Sequence, residues 1–355
     1  MAEAAPAILG YDEGSPITNP YFKQEVKMNE KELLTALGPL APLYSDPAID
    51  EIMVDTPDRV LVERGGKLED AGIRFDSPEA LRAVIDATLA LAGVELAQGQ
   101  TVADGRLTDV ARMLVVFPPT ALHGPCLIIR KLSTAILTWD QIIEFGAITR
   151  EALDFLQNAV RAQVNILIAG GPGSGKTTIA NRLAESLPAD ERIVVVERIH
   201  EMQICHPRAV FLEAAGPPEL TMTELLSTAS KMRPDYMAIG ELFGPEAMRA
   251  LELMSRGHSA MTMTDANSPE DALTRLETMC LMANLGLGLG EIRALIASAL
   301  QLIAVQLRLP DGRRRIVQIV ELRGLEDGRY VLQPLFRYDP ASDKLERTDA
   351  RPSWE

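Results

Sequence analysis

Along the first third of the chain, apolar residues recur at helical spacing and then in short strand-like runs. From about Glu30 to Leu43, Leu33, Leu34, Leu37 and Leu40 fall on one side of a helix. Two strand-like runs follow, Ile52 to Val54 and Val60 to Glu63, on either side of the turn-forming Pro57-Asp58. Ser77-Pro78-Glu79 has the form of an N-cap with proline at the first helical position and opens a helix to about Leu91. Further short strands are predicted near Met113 to Phe117 and Leu127 to Ile129. Helix with several short strands predicts an α+β domain over residues 28–130. Residues 1–27 mix Ala, Pro, Gly and charge without a sustained period and predict a flexible tail. A linker is expected over 131–148, with a short helix inside it from Trp139 to Phe145.

Beyond the linker the pattern alternates. Thr149 caps an amphipathic helix carrying Leu153, Leu156 and Val160. Strands are predicted at Val164 to Ala169, Val194 to Val196, Tyr236 to Ile239 and Ala260 to Met263, with helical segments between them. That order predicts a parallel, doubly wound sheet over 149–340. Thr221-Met-Thr-Glu224 is a capping box ahead of Leu225 and Leu226, and Pro234 closes that helix. Ser268-Pro269-Glu270 starts another. A helix beyond Gly290 leads into two runs, Arg313 to Leu322 and Tyr330 to Phe336, read as a small terminal hairpin before a tail at 341–355.

Charge narrows the function. Lys and Arg total 35 against 50 Asp and Glu, a formal net charge of -15, and 5% of residues are aromatic. Such a chain repels a phosphate backbone and lacks a basic, aromatic stripe, so direct nucleic-acid binding is not expected. Cys126, Cys205 and Cys280 lie far apart without metal-ligand spacing and are read as reduced, mostly buried thiols of a reducing compartment. Residues 1–30 lack a charged start followed by an apolar run, and the apolar stretch Ile296 to Val305 is too short to span a bilayer. The expectation is a cytoplasmic protein able to dock on the inner face of the cell membrane.

The chemistry centres on Asn165 to Thr178, where an apolar strand runs into Gly170, Gly171, Pro172, Gly173, Ser174, Gly175, Lys176, Thr177 and Thr178. This is the G-x-x-x-x-G-K-[ST] phosphate-binding pattern, followed by a helix with Ile179, Leu183 and Leu187 on one stripe. The glycines let backbone N–H groups converge, and the helix N-terminus adds positive potential. Lys176 reaches the β and γ phosphates and Thr177 places its hydroxyl on Mg²⁺. The predicted ligand is a nucleoside triphosphate, and the fold class is α/β: a P-loop (RecA-like) C-terminal domain with a smaller α+β N-terminal domain. Glu241, ending the run Asp235 to Glu241, is positioned to help hold Mg²⁺ and to activate water. Glu197 and Glu201 are further catalytic candidates. His258, just before the strand Ala260 to Met263, is read as a γ-phosphate sensor, whereas His123, His200 and His206 have no such setting. Arg106, Arg112 and Arg130 are candidates to reach nucleotide, because guanidinium forks match phosphate geometry. Gly286-Leu-Gly-Leu-Gly290 follows no strand and is read as a loop joining helices.

With these segments located, the chain resembles the secretion and pilus-assembly ATPases of type II and type IV systems, most closely those of Flp/Tad pilus assembly. The resemblance runs from about residue 38 to 337. It is carried by Gly38-Pro-Leu-Ala-Pro-Leu43, Glu51-Ile-Met-Val54, Asp58 to Arg64, Gly124 to Lys131, Arg233-Pro-Asp235, Gly240-Glu241, Gly257-His258 and Ala266 to Met279. It implies an ATP- and Mg²⁺-dependent hexameric ring that works on an inner-membrane platform protein to assemble a pilus or secrete protein. The alternative is an ATP-binding regulatory or scaffold subunit of such a machine with weak hydrolysis. By position, Glu241 takes the Walker B acidic place, Glu197 and Glu201 fall in the acidic box, and His258 matches the first histidine of the histidine box. Arg106, Arg112 and Arg130 match N-terminal arginines expected near nucleotide. Three positions depart from the family: Arg198 replaces a carboxylate, Phe243 an arginine, and Asp265 a second histidine. Arg198 is expected either to pair with Asp265 or to replace the arginine missing at Phe243.

Overall fold

A computed structural model describes residues 30–65, 67–108, 111–131, 137–214 and 220–354. The tail expected over 1–27 lies outside the described residues. The chain forms two compact units that divide between Ile136 and Leu137.

The helix predicted over 30–43 is broken. α1 (Glu30–Leu37) gives way to a 3₁₀ turn at Gly38–Leu40 and then α2 (Ala41–Ser45), because Gly38 takes a φ of +51° and Pro39 and Pro42 have no N–H to donate. There follow β1 (Glu51–Thr56), β2 (Arg59–Arg64), β3 (Lys67–Asp70), α3 (Pro78–Leu91), β4 (Val102–Thr108), β5 (Ala111–Val116) and β6 (Cys126–Lys131). They form an antiparallel sheet in the order β3-β2-β1-β6-β5-β4. Ile52, Val54, Val60, Val62, Leu127 and Ile129 pack on one face against Leu37 of α1 and Leu81 and Ile85 of α3. Side chains alternate between faces along a strand. The intervening positions therefore share the other face, where register sets Glu51, Arg130, Arg112 and Arg106 side by side across β1, β6, β5 and β4.

The second unit takes in residues expected as linker. α4 (Trp139–Glu144) starts on a Thr138–Gln141 capping box, and Ile142, Ala147 and Ile148 are buried, so this stretch belongs to the core. Next come α5 (Arg150–Arg161), β7 (Ile166–Ala169), α6 (Lys176–Ala184), β8 (Ile193–Glu197) and β9 (Ala209–Glu213). The middle holds α7 (Met222–Ala229), β10 (Tyr236–Glu241), α8 (Glu246–Ser255), β11 (Ala260–Thr264) and α9 (Pro269–Met282). The chain ends with α10 (Leu289–Ala299), β12 (Leu302–Arg308), β13 (Arg314–Glu326), β14 (Arg329–Asp339) and β15 (Lys344–Arg347). The sheet order is β15-β14-β13-β12-β7-β11-β10-β8-β9, parallel from β12 to β9 and antiparallel from β12 to β15.

The central parallel strands β7, β8, β10 and β11 are buried on both faces, which is why they read as continuous apolar runs. Leu167, Val194, Val196 and Ile239 face a core shared with α7 to α10. Ile166, Ile168, Val195 and Ala238 face a second core with α5 and α6. The expected terminal hairpin is formed by β13 and β14, which extend the same sheet through β12, whereas the expected tail needs correcting: β15 adds another strand, and the Trp354 ring lies 6.1 Å from that of Phe155. The loop read between helices at 286–290 does join α9 to α10, whose N-cap is Gly288. Of the thiols only Cys280 is buried, Cys126 and Cys205 are half-buried, and none forms a disulfide among the described residues. No helix among the described residues is long and apolar enough to cross a membrane.

A polar knot ties α6 to the loop after β8. Buried Arg182 pairs with Glu185, whose Oε1 also accepts the Cys205 N–H at 2.9 Å, while Asn181 Oδ1 accepts the Gln203 N–H at 3.2 Å. Burial, only partly offset by Arg182, pushes the Glu185 carboxyl up from 4.5 to about 7. The folded chain therefore keeps this proton at pH values where the unfolded chain has lost it. The stability this gives is full below the unfolded value and is lost as pH rises through about 7, a loss of about 3 kcal/mol. Urea midpoints measured at pH 5 and pH 8 should fall across that interval, and Glu185→Gln should flatten the fall. Equal slopes in the two proteins would show that Glu185 titrates normally.

Candidate functional site

The loop from Gly170 to Gly175 connects β7 to α6 at the carboxyl edge of the parallel strands. Its base is pinned by the Gly170 N–H, which donates to Thr264 O at 3.2 Å at the end of β11. Gly170 admits no side chain: a Cβ there would lie 2.1 Å from the Gln306 carbonyl oxygen of β12 and 2.5 Å from Ser174 Oγ. Gly173 and Gly175 take φ values of +68° and +97°, the left-handed region that glycine enters without strain. Pro172 and Gly173 are exposed, Gly171, Thr177 and Thr178 half-buried, and Ser174 and Lys176 buried.

Lys176, the first residue of α6, turns back beneath the loop. Its Nζ donates to Gly170 O at 2.8 Å, Gly171 O at 3.3 Å and Asp265 Oδ1 at 2.7 Å. Glu241 Oε1 stands 3.2 Å from the same nitrogen. That approach is an ion pair by distance without hydrogen-bond geometry, and Glu241 Oε1 is buried with no hydrogen-bond partner among the described residues, as is Ser174 Oγ. Burial raises the Glu241 carboxyl to about 7; a hydrogen bond shared with Asp265 adds to the rise and Lys176 opposes it. For Asp265 burial works upward, but the hydrogen bond from Glu241 and the Lys176 cation outweigh it and hold the carboxyl below its ordinary value. Beside one lysine, then, Glu241 is the carboxyl pushed up and Asp265 the one held down.

Glu197, ending β8, lies one strand from Glu241, with Cγ 3.2 Å from where a Cβ on Gly240 would stand. It is buried, and burial raises its carboxyl. Both oxygens are engaged: Oε1 accepts the N–H groups of Glu201 and Met202 at 3.0 and 2.9 Å, and Oε2 meets His200 Nδ1 at 2.9 Å. Glu197 therefore holds the loop that presents Glu201. His200 escaped the sequence reading, although it sits three residues after Glu197; its ring also packs edge-on against Phe211 at 5.1 Å.

One expectation needs correction, and one of the two alternatives for Arg198 is excluded. His258 precedes β11, whereas the loop meets the far end of that strand, where Thr264 lies beside Ala169. Seven residues of extended chain, about 23 Å, separate His258 from Asp265, so His258 cannot reach phosphate held on this loop in the same subunit. The side chain at the loop is Asp265. Arg198 does not pair with Asp265 either. It reaches Glu246 Oε1 at 3.3 Å, the buried carboxylate oxygen that also accepts the N–H groups of Phe243 and Gly244, each at 3.1 Å. Arg198 thus arrives beside the backbone of Phe243, where the resemblance leads one to expect an arginine.

In the N-terminal unit Arg106, Arg112 and Arg130 form one row across three adjacent strands, with Arg112 Nη2 3.3 Å from Asp104 Oδ1. The strands bring together three residues that the sequence spreads over more than twenty positions.

Comparison with known proteins agrees with this arrangement. Residues 34–321 match the family described as type II/IV secretion system protein. A Mycobacterium tuberculosis protein provisionally named for conjugal transfer is 33% identical over 305 residues, covering 82% of this chain and 86% of its own length. The conjugal transfer protein TrbB of Rhizobium radiobacter is 28% identical over 306 residues, covering 84% and 92%. The crystal structure of the Yersinia pseudotuberculosis ATPase DotB superposes with a TM-score of 0.56 at 15% identity, covering 81% of this chain and 78% of that one, a likeness of fold. A family match that runs through both units, and through the loop, Lys176 and Glu241, places the chain in the type II/IV secretion system protein family.

Proposed function

We propose that the chain is an ATP-hydrolysing motor subunit of a type II/IV secretion, pilus-assembly or conjugal-transfer machine. Its residues 137–354 would act as the P-loop (RecA-like) ATPase domain. The observation that carries this reading is the buried Lys176 amine beneath a loop too tight for any side chain at Gly170, with an unpartnered Glu241 carboxylate oxygen 3.2 Å away. A buried acceptor without a donor is costly. Here it sits where a metal-bound phosphate chain and an attacking water would be placed.

In this reading the loop from Gly170 to Gly175 wraps the phosphates, Lys176 neutralises the β and γ oxygens, and the Thr177 hydroxyl and Glu241 hold Mg²⁺. Bound Mg²⁺ supplies charge neutralisation on the phosphate oxygens. Glu241, at the end of β10, would accept the proton of the attacking water. Glu197 and His200 fix the loop that carries Glu201. Assembly into a hexameric ring on the cytoplasmic side, acting on an inner-membrane platform protein, is part of the same proposal and is supported by membership of the type II/IV secretion system protein family. The net charge of -15 argues against direct contact with nucleic acid.

The test is steady-state ATP hydrolysis with Mg²⁺ by the purified chain, with assembly state recorded for each sample. Turnover should rise as rings form. Tight ATP binding without turnover in assembled rings would sink the motor and favour a regulatory subunit.

A further inference from the structure

We propose that Asp265 is a specificity-determining residue that ranks ADP above ATP at this site; the inference rests on the nucleotide-binding reading of the Gly170 to Thr177 loop. An ammonium has three hydrogen-bond donors, and those of Lys176 are fully engaged by Gly170 O, Gly171 O and Asp265 Oδ1. Two of the three acceptors are backbone carbonyls at the base of the loop, pinned by the Gly170 to Thr264 hydrogen bond. Asp265 alone offers a side chain that can rotate away, and its carboxylate is one-third exposed. A phosphate oxygen that takes a donor from Lys176 therefore takes it from Asp265.

The displaced carboxylate cannot go far. The Asp265 backbone follows β11 directly, and three residues on Ser268 caps α9, with the Asn267 N–H held by Asp271 at 3.1 Å. Rotation about the side-chain bonds leaves a negative charge a few ångströms from Lys176, beside whatever phosphate the lysine has taken. Each added phosphate charge near the lysine meets this carboxylate, and at such distances in a partly buried site like charges repel appreciably. ATP, carrying more charge there than ADP, loses more. A histidine at this position, the residue the family resemblance leads one to expect, lacks that repulsion.

The experiment is calorimetric titration of ADP, of ATP in chelator, and of a non-hydrolysable ATP analogue with Mg²⁺, into the full chain and into Asp265→Asn and Asp265→Ser. Melting curves establish that each variant is folded, and two variants guard against failure of one. The expected result is that both variants bind ATP about tenfold more tightly, and ADP only about twofold, so that the ADP-to-ATP preference shifts about fivefold. An unchanged ratio in folded variants overturns the role of Asp265 while leaving the nucleotide site intact. Weaker binding of the analogue with Mg²⁺, but not of ATP in chelator, also overturns it and makes Asp265 a metal-side group. Absence of binding by the unaltered chain overturns the proposal together with the reading beneath it.

Discussion

Glu241→Gln should bind ATP at least as tightly as the unaltered chain and hydrolyse it about a thousandfold more slowly. The amide keeps the size of the side chain but cannot accept the water proton, a contribution of about 10²- to 10⁴-fold for a positioned general base. Binding is preserved because Glu241 makes no hydrogen bond that shapes the loop: its Oε1 is unpartnered, and the 3.2 Å approach to Lys176 is electrostatic. Losing a carboxyl whose charged form opposes phosphate helps the polyphosphate and offsets the loss of one contact to Mg²⁺. The check is single-turnover hydrolysis of radiolabelled ATP at saturating protein, with affinity measured in parallel. A variant that loses affinity in step with turnover would make Glu241 a binding group and remove it from the chemical step.

The second large effect belongs to Lys176→Ala, which should lower ATP affinity by about a hundredfold or more and leave no measurable turnover. Lys176 is the cation at the focus of the loop, and its removal does more than delete one phosphate contact. Gly170 O and Gly171 O lose their donor, and Glu241 and Asp265 are left facing each other without a counter-charge. Removing one partner from a buried ion cluster costs more than the interaction itself, because the remaining charge is stranded. Glu241, whose carboxyl burial already pushes up, relieves that by taking a proton, so the variant should fold. Fluorescent-nucleotide displacement with a melting curve on the same sample separates the two effects. A folded variant with nearly normal affinity would mean that nucleotide does not sit on this loop.

Much of this arrangement was legible in the sequence because it rests on local rules. Ser77, Thr149, Thr221 and Ser268 each cap the helix expected of them, since an N-cap is decided within four residues. The buried parallel strands announced themselves as apolar runs. Strands lying at a sheet edge or merging into another signal did not. β3 is exposed along its whole length, β4 carries Asp104 and Gly105, and β12 continues an apolar stretch begun by α10, where helix and strand cannot be told apart by period. At the site, Lys176 and Glu241 followed from motif and strand end. His258 was misplaced because proximity to a strand in sequence does not say which end of that strand meets the ligand; only parallel register with β7 decides it. Asp265 had a visible signal, a charge directly after an apolar strand, but its bond to Lys176 crosses 89 positions and depends on that same register.

The position of β7 also governs when the loop can exist during synthesis. Both hydrogen-bonded neighbours of this four-residue strand come from later in the chain, β11 from residues 260–264 and β12 from 302–308. Pairings this distant in sequence form slowly, since much chain must be closed into a loop before any contact rewards it. The carbonyl of Gln306, which shapes the pocket around Gly170, leaves the ribosome well over a hundred residues after the loop it shapes. The residues of the phosphate loop are made first, but their architecture waits for β11 and β12 to emerge.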